Sequence, residues 1–171
     1  MSQVKAGDSI PNVELLEGAP DKKVNLAQEL SSGKGLIIQV PAAFSPDCSA
    51  RHIPEYINSK QLQSAGKVFV VAVNDAFVLV EYPGFGYVAL LIGSVEWKLG
   101  RNHWMPIRFL ADAEGNFSKQ LGTQFEFAPI FGDKRSVRSA IVTEDGKIKS
   151  VHIEPDNIGI KESSAEAVLG K

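Results

Sequence analysis

The chain has 171 residues, 44% of them hydrophobic and 22% charged, with a formal net charge of −2. That is enough chain for one well-buried core, and with no basic block among the aromatics it excludes a nucleic-acid surface. A single cysteine excludes an internal disulfide and a cysteine-built zinc cluster, and suits a reducing compartment.

The chain opens Met-Ser-Gln-Val-Lys-Ala-Gly-Asp, without the apolar stretch of a secretory signal. A cytoplasmic location is expected, with a peroxisomal or mitochondrial pool left open. Residues 1–34 read mostly as loop, with a short strand at 13–16 and a weak helix at 24–30. Residues 36–40, Leu-Ile-Ile-Gln-Val, form an apolar run that reads as a buried strand, and residues 67–73, Lys-Val-Phe-Val-Val-Ala-Val, read as a second. With a helix between them they make a βαβ unit with parallel strands.

That helix starts at Ser45-Pro46-Asp47. Ser45 suits the N-cap, where its hydroxyl accepts an orphan N–H, and Pro46 suits the first helical position. Cys48 then falls in the first turn, beyond the carboxyl end of a strand, where the helix terminus favours a thiolate. Arg51 and His52 follow at three and four positions and can add positive charge or a hydrogen bond. Asp47 opposes the thiolate unless it points outward. The plain alternative for Cys48 is a small buried hydrophobe; its flanking residues favour a reactive thiol.

The pattern Pro41-x-x-x-Ser45-x-x-Cys48 resembles the peroxiredoxin motif P-x-x-x-[T/S]-x-x-C. The longer run Pro-Ala-Ala-Phe-Ser-Pro-Asp-Cys-Ser-Ala-Arg-His-Ile-Pro-Glu-Tyr is similar to the atypical type V branch, which includes the plant type II and fungal peroxisomal-type proteins. The resemblance implies a thioredoxin-like α/β fold, a central mixed β-sheet flanked by helices, spanning residues 1–171 as one domain.

Asn74-Asp75-Ala76 resembles the start of the family's next helix. Residues 79–95 then have no recognised counterpart and read as an apolar insertion with Glu81 its only charge. Pro83 and three glycines argue against a membrane span. A flap, an oligomer contact, a substrate-channel wall and a retained intron all remain open, and the insertion is expected to be peripheral to the sheet. Residues 107–112 read as a strand, 117–121 as a short helix and 131–135 as a loop. Residues 137–143 and 147–153 form a hairpin about Glu144-Asp145-Gly146. Ser163 or Ser164 caps a closing helix, with Glu166 placed for a capping box.

By the resemblance, Cys48 is the peroxidatic nucleophile, Ser45 positions the peroxide and Pro41 shields the thiol. Arg138 fits the family's motif arginine through R-x-x-x-V-x-x-D-G, and Arg135 is the competing candidate. His52 is a weaker candidate, either tuning the thiol or satisfying a structural hydrogen bond. His103 and His152 lack companion ligands, so no metal or other cofactor is assigned; Trp97 and Trp104 read as core or interface residues. The position of the branch's resolving cysteine falls at or near Glu162. The expected activity is reduction of hydrogen peroxide and alkyl hydroperoxides through a sulfenic acid, recycled by glutathione with glutaredoxin or by thioredoxin, in a homodimer. The alternatives are a redox sensor or holdase using the same thiol, and a glutathione-dependent thiol transferase.

Overall fold

Among the residues described by the computed structural model, 2–82 and 107–170, seven strands form one sheet. They are β1 (Glu14–Leu16), β2 (Lys23–Asn25), β3 (Lys34–Val40), β4 (Lys67–Ala72), β5 (Ile107–Ala111), β8 (Ser139–Glu144) and β9 (Lys147–Ile153), in the order β2-β1-β5-β4-β3-β8-β9. A separate pair, β6 (Gln124–Glu126) and β7 (Lys134–Ser136), lies outside that sheet. The centre, β3-β4-β5, is parallel, and the flanking pairings of β3 with β8 and β1 with β5 are antiparallel. The expected βαβ unit and mixed sheet are therefore both present.

Central parallel strands are covered on both faces, which is why β3 reads as an almost unbroken apolar run. Leu36, Ile38 and Val40 pack with Cys48, Tyr56 and Leu79 on one side. Ile37 packs with Leu15, Phe69, Leu110 and Phe117 on the other. Cys48 thus sits over the sheet centre, on the face built by alternate residues of β3.

The hairpin forms as its turn residues dictate. Asp145 (φ 48°) and Gly146 (φ 77°) are both left-handed, the two-residue geometry that matches strand twist. Asp145 Oδ1 also accepts the Gly33 N–H at 2.8 Å, tying the turn to the start of β3.

Several expected elements shift. The weak helix at 24–30 divides into β2 and a short α1 (Leu26–Glu29) capped by Asn25. Residues expected as loop at 131–135 contain the end of a helix, Ala128–Phe131, and most of β7. The closing helix, Ala165–Leu169, is capped by Ser164, which accepts from Ala167 N–H at 3.2 Å. That puts Ala167, not Glu166, at the third position, so the capping-box spacing is not met.

The helix α3 (Ala76–Glu81) opens on Asp75, whose carboxylate accepts from Val78 N–H at 2.9 Å. It continues past the expected start of the insertion. Leu79 and Tyr82 are buried in the core, and Tyr82 packs edge-on against Phe109 at 5.5 Å. The segment's peripheral portion cannot begin before residue 83, because two of its first four side chains help to fill the domain. Residues 83–95, with Trp97, His103 and Trp104, lie outside the described residues.

Candidate active site

Beyond β3 the chain turns through Pro41, which is buried, and Phe44, whose φ of 63° reverses its direction. Asn74 holds this turn by accepting the Ala43 N–H at 3.0 Å. The Phe44 ring lies 5.3 Å from Tyr82. Helical residues begin at Pro46, as its preference for the first position predicts. Ser45 supplies the backbone half of the cap, its carbonyl accepting from Ser49 N–H at 3.0 Å. Its hydroxyl accepts no helical N–H, contrary to the expected side-chain cap, and makes no hydrogen bond among the described residues.

The next turn is wider than an α-helix. Cys48–His52 is a π turn, closed by Ile53 N–H donating to the Cys48 carbonyl five residues back, and α2 (Ile53–Asn58) follows. Such a turn inserts one extra residue into the helical ladder and recurs at functional sites. It leaves Arg51 outside, paired with exposed Asp47 at 3.2 Å. Asp47 thus points away from the thiol, and Arg51 adds no charge there.

Cys48 is fully buried, and Arg138 reaches it from across the domain. Arg138 stands just before β8, 2% exposed, and its Nη1 donates to Cys48 Sγ at 3.3 Å. The same Nη1 lies 3.3 Å from His52 Nδ1, and Nε donates to the Ile158 carbonyl at 2.9 Å. A guanidinium only donates, so Nδ1 is the accepting nitrogen. His52 Nε2 lies 2.9 Å from the Ser163 carbonyl, which only accepts, so Nε2 carries the proton. Burial, the largest influence, pushes the imidazole down to about 4, with the Arg138 charge acting in the same direction; the Ser163 carbonyl and Glu154 oppose them. His52 is therefore a neutral ring linking Arg138 to the C-terminal loop.

The two candidate arginines separate clearly. Arg135 donates through Nη1 to the Val73 carbonyl and through Nη2 to Phe131 at 3.0 Å. It fastens β7 to the end of β4, whereas Arg138 touches sulfur. Of the residues expected at the site, Cys48, Arg138 and His52 are in direct contact, while Ser45 and Pro41 form the adjoining turn.

Other residues at the site were not expected. Tyr56 Oη donates to the Ser163 carbonyl at 2.7 Å. Glu154 Oε1 accepts from Lys161 N–H at 2.7 Å and from Ser163 N–H and Oγ–H at 2.8 and 2.7 Å. Burial acts to raise the Glu154 carboxyl, but the bonds from Ser163 and Lys161 outweigh it and hold the group below the usual carboxylate range. Ser49 Oγ–H donates to Tyr82 Oη at 3.3 Å. Among the described residues no cluster of three or more His, Cys, Asp or Glu side chains could hold a metal ion.

A family model described as Redoxin matches residues 5–169. The chain is 35% identical to Peroxisomal membrane associated protein 20 of Schizosaccharomyces pombe, over 97% of each chain. It is 34% identical to the putative peroxiredoxin prxA of Emericella nidulans, over 99% of this chain and 98% of that one. The chain belongs to the redoxin family, among the peroxiredoxins. The crystal structure of reduced Prx3 in complex with H2O2 from Vibrio vulnificus superposes with a TM-score of 0.77 at 27% identity, covering 98% of each chain. As a peroxiredoxin the protein is a thiol peroxidase with a thioredoxin-like fold, and its only cysteine, Cys48, stands where the fold gathers an arginine, a histidine and a helix start.

Proposed function

We propose that this peroxiredoxin reduces hydrogen peroxide and small alkyl hydroperoxides through a sulfenic acid on Cys48, and that an external thiol recycles it. The observation that carries this reading is the Arg138 guanidinium hydrogen-bonded to the sulfur of the sole cysteine. A guanidinium bonded to the sulfur stands where charge leaves sulfur for oxygen when the thiolate attacks.

In the first step the thiolate attacks one oxygen of R–O–O–H. An S–O bond forms as the O–O bond breaks, sulfur loses two electrons, and the leaving oxygen departs as ROH, or as water from hydrogen peroxide, after taking up a proton. Arg138 stabilises the charge moving from sulfur onto oxygen. Ser45, whose hydroxyl makes no hydrogen bond among the described residues and which lies three residues before Cys48, orients the peroxide. Pro41 closes the turn over the thiol and limits water at the site. His52 works through Arg138 and makes no contact with the peroxide in this scheme. The H2O2 complex of the Vibrio vulnificus relative supports the choice of substrate.

Recycling needs a second thiol. Glutathione, or a thioredoxin cysteine, attacks the sulfenic sulfur to give a mixed disulfide and water, and a further thiol displaces Cys48. With Glu162 near the branch's resolving position and no second cysteine, that thiol comes from another molecule. A homodimer is part of the reading; Phe77 and Ile130, each 65% exposed, are apolar side chains a second copy would cover. The free thiol suits a reducing compartment such as the cytosol, and the name of the Schizosaccharomyces pombe relative adds peroxisomal membranes as a second location to test. Among the described residues no helix is long and apolar enough to cross a membrane.

Steady-state peroxide consumption, with glutathione plus glutaredoxin in one series and thioredoxin plus its reductase in another, tests this reading. Many turnovers per molecule with at least one donor are expected. One equivalent consumed per molecule with every donor would turn the assignment toward a redox sensor or holdase. Size-exclusion chromatography of the reduced protein should give a dimer, and a monomer would remove that part of the proposal.

A further inference from the structure

The loop after β9 holds Arg138, whose Nη1 donates to the Cys48 sulfur, and His52, which accepts from the same nitrogen. Its main chain brackets Arg138: Arg138 N–H donates to the Asn157 carbonyl at 2.8 Å, and Glu154 N–H donates to the Arg138 carbonyl at 3.0 Å. The Ile158 carbonyl then fixes the Arg138 Nε–H, and the Ser163 carbonyl fixes the Nε2–H of His52 together with the hydroxyl of Tyr56. A loop that supplies two aimed carbonyls needs something to hold its own shape. In its middle Asp156 Oδ1 accepts the Ile158 and Gly159 N–H groups at 3.2 and 2.6 Å, and at its far end the holding group is one other carboxylate oxygen. Glu154, 2% exposed, lies at the loop's start, and its Oε1 gathers the Lys161 and Ser163 N–H groups and the Ser163 hydroxyl from the loop's far end.

We infer that Glu154 is a positioning residue for the thiol chemistry, acting through the loop 154–163 to hold Arg138 on the sulfur and His52 in its Nε2–H form. The inference rests on the peroxidase reading above. Among the described residues the Glu154 side chain makes no hydrogen bond to Cys48 or Arg138, so it reaches the thiol site along the loop and through its charge on His52. Without its three hydrogen bonds, the Ser163 carbonyl has no fixed place. The imidazole is then free to change tautomer or turn, and an Nδ1–H would face the Arg138 N–H groups donor against donor. The guanidinium would leave the sulfur in response.

The experiment is a double-mutant cycle read on the oxidation of Cys48 by one equivalent of hydrogen peroxide. Rapid quenching and intact mass follow it in Glu154→Ala, Arg138→Ala and the double variant. Glu154→Ala should slow oxidation about tenfold, the double variant should be no slower than Arg138→Ala, and Glu154→Gln, which keeps an acceptor oxygen, should restore the rate to within about threefold. Long-range proton–nitrogen spectra of the His52 ring give a second readout: one Nε2–H tautomer in the wild type and in Glu154→Gln, and loss of that single form in Glu154→Ala. If Glu154→Ala does not fold, Ser163→Ala, which removes one of the three bonds, carries the same cycle with a smaller effect.

A wild-type rate and tautomer in Glu154→Ala would overturn the inference. So would a double variant slower than Arg138→Ala by the full Glu154→Ala factor, because that is the additivity of a general loss of structure. A wild-type protein that leaves Cys48 unoxidised would instead overturn the peroxidase reading, and the tautomer spectra would still decide the role of Glu154.

Discussion

Two buried polar networks lie on opposite sides of β3, and only one of them ends on a reactive atom. On the far side Gln39, fully buried, accepts from the Thr123 and Ser139 hydroxyls at 2.8 and 3.0 Å and donates to Ser118 at 3.1 Å. Ser118 passes the chain to Asp112 at 2.7 Å, and Asp112 also accepts from the N–H groups of Phe117 and Ser118 at the start of the helix Asn116–Gln120. Its hydroxyl and amide groups are matched to acceptors within the sheet and that helix start, so it fixes geometry and nothing more. On the near side the chain runs from the Glu154 carboxylate through Ser163 and His52 to Arg138 and ends at the Cys48 sulfur. Both networks are as buried and as densely bonded as each other. Burial and hydrogen bonding therefore do not mark the active site; the chemistry of the final acceptor does.

The comparison is broken most severely through its arginines. Arg138→Ala should slow peroxide oxidation of Cys48 about 100-fold, the scale of losing one donor to a developing charge. Arg135→Ala, which loses bonds to carbonyls only, should stay within about threefold in rate while lowering the thermal midpoint. Equal slowing in both variants would mean that contact with sulfur is not what separates them.

Proton linkage gives the next effect. Folded His52 stays neutral down to about 4, whereas the ordinary imidazole takes a proton near 6.5. Between those values the unfolded chain binds more protons, so this stabilisation is complete above about pH 6.5 and is lost as pH falls toward 4, a difference of about 3 kcal/mol. Urea titrations at neutral and mildly acidic pH should show that loss, and His52→Gln should flatten it. Gln39→Met in the other network should leave the pH dependence intact. It should instead remove about 2 kcal/mol at every pH, because the Ser139 hydroxyl loses its acceptor and Thr123 keeps only the Ser118 carbonyl, with no change in the Cys48 oxidation rate of the folded protein.

The smallest effect expected is at the turn. Ser45→Ala should slow oxidation about tenfold without loss of stability, since the hydroxyl caps nothing among the described residues. A drop in thermal midpoint with unchanged kinetics would show the reverse, a hydroxyl that supports the helix start.

The parts of this arrangement that could be read from the sequence are those carried by local signals. Apolar runs mark β3 and β4 and Asp145-Gly146 marks the hairpin, while the resemblance to the family's motif before that turn implied Arg138, the arginine found on the sulfur. Pro46 marks the helix start. What escaped depends on long-range or main-chain partners. A π turn at Cys48 has no residue signature, and Arg51 pairs outward with Asp47 instead of meeting the sulfur. Ser163 acts through its carbonyl, which every residue owns, more than a hundred positions from the histidine that it fixes. Glu154 was visible only as an acidic residue at the end of a strand. Its pairing with Lys161 and Ser163 follows from how the loop folds back, which no periodicity reports. Tyr82 reads as part of an apolar insertion until its contacts with Phe44, Ser49 and Phe109 place it in the core.

The central claim is that the near network makes Cys48 the nucleophile. Rapid-quench oxidation with one equivalent of hydrogen peroxide, followed by peptide mass spectrometry, tests it most directly. The account predicts one oxygen atom added to the peptide that contains Cys48, removed again by glutathione, and no peroxide consumed by Cys48→Ser. Oxygen appearing first on another residue, or peroxide consumed by Cys48→Ser at the wild-type rate, would contradict it.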